Sequence, residues 1–320
     1  MKDTSKSIGK KVVKVIILIF SSIIILFLLF IGALNLFKFG KYSEYYDSLT
    51  RLCKNPGLKD DFIPQGITYR NGFYYTTGYM KDGSASRIYK AHPQLGEIYV
   101  TLQSNGEDFV GHTGGLQYTD GSFYLANESL GVFIFDASLL LDARNEDVIE
   151  IGYPHKVNNN SSFVFSDDEF LYVGEFNNDK NYISDNKITY NDVTHRAIVS
   201  QYYPHDLTKP IAIYSIPNEI QGFCKTDDGR IVLSRSYSVS SSNFFIYEGK
   251  DIINTNTSYD NAPLFFLDEP TRNVEGPAMS EDLDYEDGKV ITLFESACNK
   301  YYFGKLFGAT YIAGLDFKSR

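Results

Sequence analysis

The chain has 320 residues, a net charge of -10, 43% apolar side chains, 25 tyrosines and 24 phenylalanines, but no tryptophan. This composition excludes a disordered chain, a collagen and a disulfide-stapled miniprotein, and the chain is long enough to bury a real core. Charge is unevenly spread: seven lysines and one aspartate lie in residues 1–41, so the rest carries 23 basic against 39 acidic residues, a net -16.

Val15 to Leu34 is an uncharged run of 20 residues. As a helix it is long enough to cross the hydrocarbon core of a bilayer. Its only polar members are Ser21 and Ser22, whose hydroxyls can bond back to helix carbonyls. Lys2, Lys6, Lys10, Lys11 and Lys14 precede the run, while only Lys38 and Lys41 follow it. The positive-inside rule therefore places the N-terminus in the cytoplasm. A cleaved signal peptide would have an apolar stretch of about 7–15 residues and a small-residue cleavage site. Gly32-Ala33-Leu34-Asn35 is a poor site of that kind. The expected organisation is a cytoplasmic basic tail over 1–14, an anchor in the lipid bilayer over 15–37, a stalk or ring-closing segment over 38–62, and an extracytoplasmic domain over 63–320. There, Cys53 and Cys298 are the one pair considered for a disulfide, and Cys224 reads as a small buried hydrophobe.

From Tyr42 onward, short runs of alternating apolar residues rich in Tyr, Phe, Ile and Val are separated by Asn-Gly, Asp-Gly and Gly-Ser pairs, an all-β signature. The runs recur as a strand–turn–strand unit. Gln65 opens a run that turns at Asn71-Gly72, and Gly114 opens one that turns at Asp120-Gly121. Ser162 precedes a turn at Asp168, Gln221 precedes Asp228-Gly229, and Glu275, with a six-residue insertion, precedes Asp287-Gly288. The steps between these openings are 49, 48, 59 and 54 residues. Such a period predicts a β-propeller, because each blade can bury its faces only against its neighbours. Five blades account for the chain; a sixth would have to hide within the 59-residue step. Asn177–Thr194 and Asp251–Asn261 read as loop-like insertions. The last blade lacks material for its outermost strand, and residues 42–62 are available to supply it; Ser43–Leu52 reads equally well as a helical stalk.

In propeller topology the first strand of each blade starts, and the second ends, at one mouth of the central channel. The starts bring Gln65, Gly114 with His112, Ser162, Gln221 and Glu275 to that mouth; the ends bring Thr77, Asn127, Glu175, Arg235 and Glu295. Polar convergence at a concave mouth is the first place to look for a ligand site, although polar residues there also hydrogen-bond neighbouring blades. Glu175, Glu275 and Glu295 are the candidate metal ligands for a hard cation such as Ca²⁺. Gln65, Thr77, His112, Asn127, Gln221 and Arg235 are the candidate ligand-binding residues. His112 and Glu295 are the candidate proton carriers, with no nucleophile–base pair evident. Arg235 either neutralises the carboxylates or grips an anionic group.

Val274-Glu275-Gly276-Pro277 resembles the Glu-Gly-Pro opening of the senescence-marker/gluconolactonase group, metal-dependent propeller hydrolases in which that Glu binds the central cation. Pro64-Gln65-Gly66 is similar, with an amide in place of the acid. The resemblance implies Glu275 as a metal ligand, but the slots for the group's other ligands hold Gln221, Ser162 and Gly114, and that group has six blades. The repeat region as a whole looks like a class of secreted or membrane-anchored bacterial propellers, sharing His112-Thr-Gly-Gly-Leu and Leu293-Phe-Glu-Ser, which implies a fold and a compartment but no activity. A phosphate loop and a nucleophile elbow are missing from the sequence, and the acidic domain should repel nucleic acid. The sequence thus predicts a membrane-anchored binding module for a small polar ligand, a divalent cation or a loop of an envelope protein, with metal-dependent hydrolysis of a lactone, ester or phosphoester as the alternative.

Overall fold

The computed structural model describes residues 2–167, 169–301 and 303–318, with side chains from Lys11 onward; Asp168, expected at the third turn, lies outside the described residues. Residues Lys2–Lys41 form one α-helix. Its stretch Lys11–Lys41 is apolar and long enough to cross a membrane, and none of its most apolar part is buried against the protein. Ser22 Oγ donates to the Leu18 carbonyl at 2.9 Å, so its hydroxyl is satisfied within the helix.

The described residues beyond it form five blades around a central channel. Blade one runs outward through Phe62–Arg70, Phe73–Met80, Arg87–His92 and Gly96–Ser104. Blade two uses Gly115–Thr119, Ser122–Asn127, Gly131–Asp136 and Pro154–His155, and blade three Ser161–Ser166, Leu171–Glu175, Ala197–Tyr202 and Ala212–Ile216. Blade four comprises Ile220–Lys225, Ile231–Arg235, Ser242–Tyr247 and Arg272–Gly276. Blade five comprises Ser280–Glu286, Lys289–Phe294, Tyr311–Leu315 and, as its outermost strand, Leu49–Lys54 from the start of the domain. Joining the two ends of the domain in one blade removes the open edge a broken ring would leave. The preceding Ser43–Ser48 is a short helix, so this segment supplies both a helical turn and the closing strand.

The hairpin turns explain why the sequence folds this way locally. Asn71 and Gly72, Asp120 and Gly121, and Asp287 and Gly288 all have positive φ, the geometry of the tight turns that join twisted strands. Between blades the core is aromatic, with Tyr172 stacked on Phe223 at 5.1 Å and Phe165 packed against both.

Four expectations change. The stretch expected to be a loop at 251–261 contains the strand Ile252–Tyr259, which pairs antiparallel with Ala262–Leu267, and Ala262–Leu267 in turn is added in parallel to the edge of blade three. Asn177–Thr194 is partly ordered by a small hairpin, Ile188–Tyr190 with Val193–His195. Cys53, Cys224 and Cys298 are all buried free thiols, so Cys53 and Cys298 are not joined. The fifth repeat also begins elsewhere: Glu275 lies on the outermost strand of blade four, opposite Asn243, and the inner strand of blade five is Ser280–Glu286.

Candidate functional site

The inner strands approach one another through glycine. A Cβ on Gly66 would stand 2.8 Å from the Gly115 carbonyl carbon, and one on Gly115 would stand 2.5 Å from the Val164 nitrogen. Just above this constriction the inner strand slips register against its partner in four blades, between Pro64 and Gly66, Ser161 and Phe163, Ile220 and Gly222, and Ser280 and Leu283. Such bulges re-aim a side chain. The residues at the slips include Gln65, Ser162, Gln221 and Glu281, and all four line one cavity of about 390 Å³ at the mouth. Gly114 lines it in blade two. A Cβ there would stand 2.0 Å from the Ser162 carbonyl oxygen, and His112 supplies the side chain instead. The fifth member of the ring is thus Glu281, where the sequence alignment expects Glu275.

The wall beside Glu281 comes from the connection after the second strand of blade five, which carries Glu295, Lys300 and Tyr301. Tyr79 Oη donates to Glu295 Oε1 at 3.2 Å, and Lys300 Nζ donates to Tyr79 Oη at 3.0 Å. The Tyr79 ring stacks on His112 at 4.2 Å between centroids. Gln65 Nε2 lies 3.5 Å from His112 Nδ1, while Gln65 Oε1 is buried without a partner. Burial raises the carboxyl of Glu281 well above its usual range, and Glu295 adds to the rise. Burial also raises Glu295, against the pull of Lys300 and Tyr79. Two buried carboxyls that interact in this way disfavour being ionised together. Burial and the Lys300 charge lower His112, so its imidazole is neutral at pH 7. The mouth therefore offers acceptors from carboxyls and amides, together with hydroxyls from Tyr182 and Tyr237 on its wall.

The next two acids along the same strand behave differently. Asp282 Oδ2 accepts from the backbone N–H of Ile67 at 3.2 Å and of Leu116 at 3.3 Å, joining blade five to blades one and two across the hub. Its Oδ1 is buried and unpartnered, and burial raises its pKa well above the usual carboxyl range. Asp284 accepts from Tyr69 N–H at 2.7 Å, Thr68 Oγ1 at 3.1 Å and Tyr285 N–H at 2.8 Å, and burial raises its pKa to about 6. A second cavity, of about 550 Å³, opens at the opposite base and includes Asp284. There Lys225 is bonded to Asp167 at 3.1 Å and to Tyr172 Oη at 2.9 Å.

Of the residues expected at the mouth, Gln65, His112, Gly114, Ser162, Gln221 and Glu295 are brought together there. Thr77 is buried between blades one and two, its hydroxyl donating to Thr113 Oγ1 at 2.7 Å. Asn127 shapes a turn, its amide donating to the His112 carbonyl and its oxygen accepting from Ser129 and Leu130 N–H. Glu175 is buried within blade three and accepts from Asn186 Nδ2 at 2.7 Å and from the N–H groups of Ile198 and Asn160 at 3.0 and 3.3 Å. Arg235 pairs with Glu219 at 2.7 Å, not with Glu175 or Glu295. Glu275 pairs with Lys41 at 3.0 Å on the outer rim. Glu175, Glu275 and Glu295 do not converge, and among the described residues no group of three or more His, Cys, Asp or Glu is placed to hold a metal ion.

Glu281, Tyr79 and Lys300 are among the mouth residues the sequence reading missed, together with Glu128, Tyr182, Tyr237 and Tyr301. A spacing in the sequence marks the first: Gln65 and Gly114 each stand six residues before the first residue of their turns, Asn71 and Asp120, and six residues before Asp287 is Glu281.

The fold and site define a five-bladed β-propeller joined directly to a long apolar N-terminal helix. No family model matches the sequence, and no curated protein matches it. Solved structures similar to the chain are propellers and propeller-like enzymes. The PQQ-bound aldose sugar dehydrogenase of Streptomyces coelicolor is 12% identical, with 77% of this chain and 76% of that chain covered and a TM-score of 0.44. The glutaminyl cyclase of Myxococcus xanthus is 7% identical over 83% of this chain and 93% of its own, with a TM-score of 0.44. The WD40 propeller domain of Doa1 is 10% identical over 79% and 78%, with a TM-score of 0.36. These proteins include both enzymes and binding modules, and they are similar to this chain in fold class alone.

Proposed function

We propose that the chain is a membrane-anchored binding module, with its N-terminus in the cytoplasm and its propeller outside, whose mouth takes a small hydroxyl-rich ligand. The observation that carries this reading is Glu281. It is a buried residue at the mouth whose carboxyl lines the cavity and makes no hydrogen bond to any described residue, so its oxygens face whatever fills that space. The unpartnered Gln65 Oε1 beside it supports the same reading. Paired carboxyls and amides accept hydrogen bonds from ligand hydroxyls, and the cavity of about 390 Å³ has the size of a small-molecule site. The basic residues before the apolar helix support the orientation.

Metal-dependent hydrolysis loses its ligand set in this arrangement, because Glu175 is held by its own blade and Glu275 by Lys41. The gluconolactonase-like resemblance rests on Glu275 and weakens with it. Calorimetric titration of the full chain in phosphatidylcholine nanodiscs with galactose, sucrose, glycerol, a short peptide and Ca²⁺ tests the proposal. We expect heat from a sugar or polyol, lost in Glu281→Gln. Heat from Ca²⁺ alone, or from none of the five, would overturn it.

A further inference from the structure

The helix meets the propeller on its mouth face. Lys41 Nζ donates to Ser241 Oγ at 2.8 Å, and Tyr42 Oη lies 2.9 Å from the same atom. Ser241 belongs to the connection that puts Tyr237 and Ser238 into the mouth wall. One helical turn earlier, Phe37 packs on Phe307 at 5.9 Å, in the connection that carries Glu295 and Lys300. The chain then descends along the disc. Lys41 pairs with Glu275, at the mouth end of the outermost strand of blade four, and Glu44 pairs with Arg272 at its base end. Leu49 then joins the base end of blade five, opposite Leu315. The apolar helix therefore arrives from the mouth side, with one residue between it and the next helical turn.

The two faces differ in the side chains they present. On the mouth face, the connection after the second strand carries an outward aliphatic in four successive blades: Leu130, Ile183, Val239 and Leu306, each 40–68% exposed. On the base, the inner hairpins turn through Asp120, Asp227 and Asp287, with Asp228 paired to Arg230, and the exposed aliphatics Leu95 and Leu139 stand singly on outer connections.

We propose that the propeller sits mouth-down on the bilayer its own helix crosses, the aliphatic rim in the interfacial layer, and that its ligand is the hydroxyl-rich head of a membrane lipid. The second half rests on the reading of the mouth as a ligand site. With no linker to lift the disc away, Phe37 and Phe307 fall at the interfacial depth where aromatic residues and the nearby Lys38 and Lys41 are favoured.

The chain has no tryptophan, so an introduced one reports alone. The full chain is placed in phosphatidylcholine nanodiscs with brominated acyl chains, carrying Val239→Trp, Leu306→Trp or Ile183→Trp on the mouth face, or Leu95→Trp on the base. We expect fluorescence to be largely lost in the mouth-face variants and kept in Leu95→Trp. Fluorescence kept in all four would overturn the orientation. Doping unbrominated discs with digalactosyl diacylglycerol should raise the melting temperature of the wild type but not of Glu281→Gln. Stabilisation by free galactose with none from the glycolipid would overturn the membrane source while leaving the mouth a ligand site. Stabilisation by neither would overturn the ligand half together with the proposed function, leaving the quenching result to stand by itself.

Discussion

At the hub, Asp282 and Asp284 receive hydrogen bonds from the backbones of neighbouring blades; at the mouth, Glu281 on the same strand receives none from the protein and Glu295 receives one, from Tyr79. Burial raises the pKa of all four carboxyls. The difference lies in what meets the acid. A buried acid that accepts N–H groups from two neighbouring blades fastens them together, whereas one that meets no donor contributes no such bond. Acids that join blades and an acid that faces the mouth cavity thus lie along seven residues of one strand, Ser280–Glu286.

Breaking the hub should have the largest effect. Asp282→Ala leaves the Ile67 and Leu116 N–H groups buried and unpaired, and we expect a loss of about 3 kcal/mol in urea denaturation. A loss below about 1 kcal/mol would mean that the hub carboxylate does not join the blades.

The pH dependence of stability sharpens the comparison next. Asp284 rises from 3.8 to about 6 on folding, which corresponds to about 3 kcal/mol. Between those values folded Asp284 keeps a proton that it has released in the unfolded chain, so its contribution to stability falls as pH rises through this window and is level above it. We expect Asp284→Asn to flatten that fall relative to wild type when melting is followed from about pH 4 to pH 7. An unchanged slope would mean that Asp284 does not titrate there.

The outer rim should respond least. Lys41 and Glu275 are both half-exposed, and such a pair contributes about 0–1 kcal/mol. Glu275→Ala should therefore leave both melting and sugar binding near wild type. A loss of sugar binding would return Glu275 to the site.

Much of this arrangement was legible in the sequence. Asn71-Gly72, Asp120-Gly121 and Asp287-Gly288 mark tight turns because few other pairs tolerate two successive positive φ angles, and they set the blade count. Gln65, Ser162 and Gln221 could be read to one mouth because each is a polar residue in the first half of an otherwise apolar inner strand. The fifth strand was misplaced for a physical reason. Ser280-Glu-Asp-Leu-Asp breaks the apolar alternation with three buried acids, while Val274-Glu275-Gly-Pro imitates a strand opening. Alternation reports burial in an apolar setting, and these acids are buried against backbone donors and one another. Tyr79 and Lys300 reach the mouth from connections whose course depends on tertiary packing, so no local pattern announces them. The excursion through Ile252–Tyr259 was unreadable for a similar reason, since it reaches blade three only through Ala262–Leu267, from within the sequence of blade four.

The most direct test of the separation between hub and mouth compares the thermal stability of the ligand-free double variant Glu281→Gln with Glu295→Gln against that of Asp282→Ala in one buffer at pH 7. Neutralising two acids that the fold leaves without enough partners should hold or raise the melting temperature, as at other sites kept for binding at the expense of stability, while Asp282→Ala lowers it. A double variant that melts as low as Asp282→Ala would show that the mouth carboxyls hold the propeller together, and would contradict the assignment of the mouth as a ligand site.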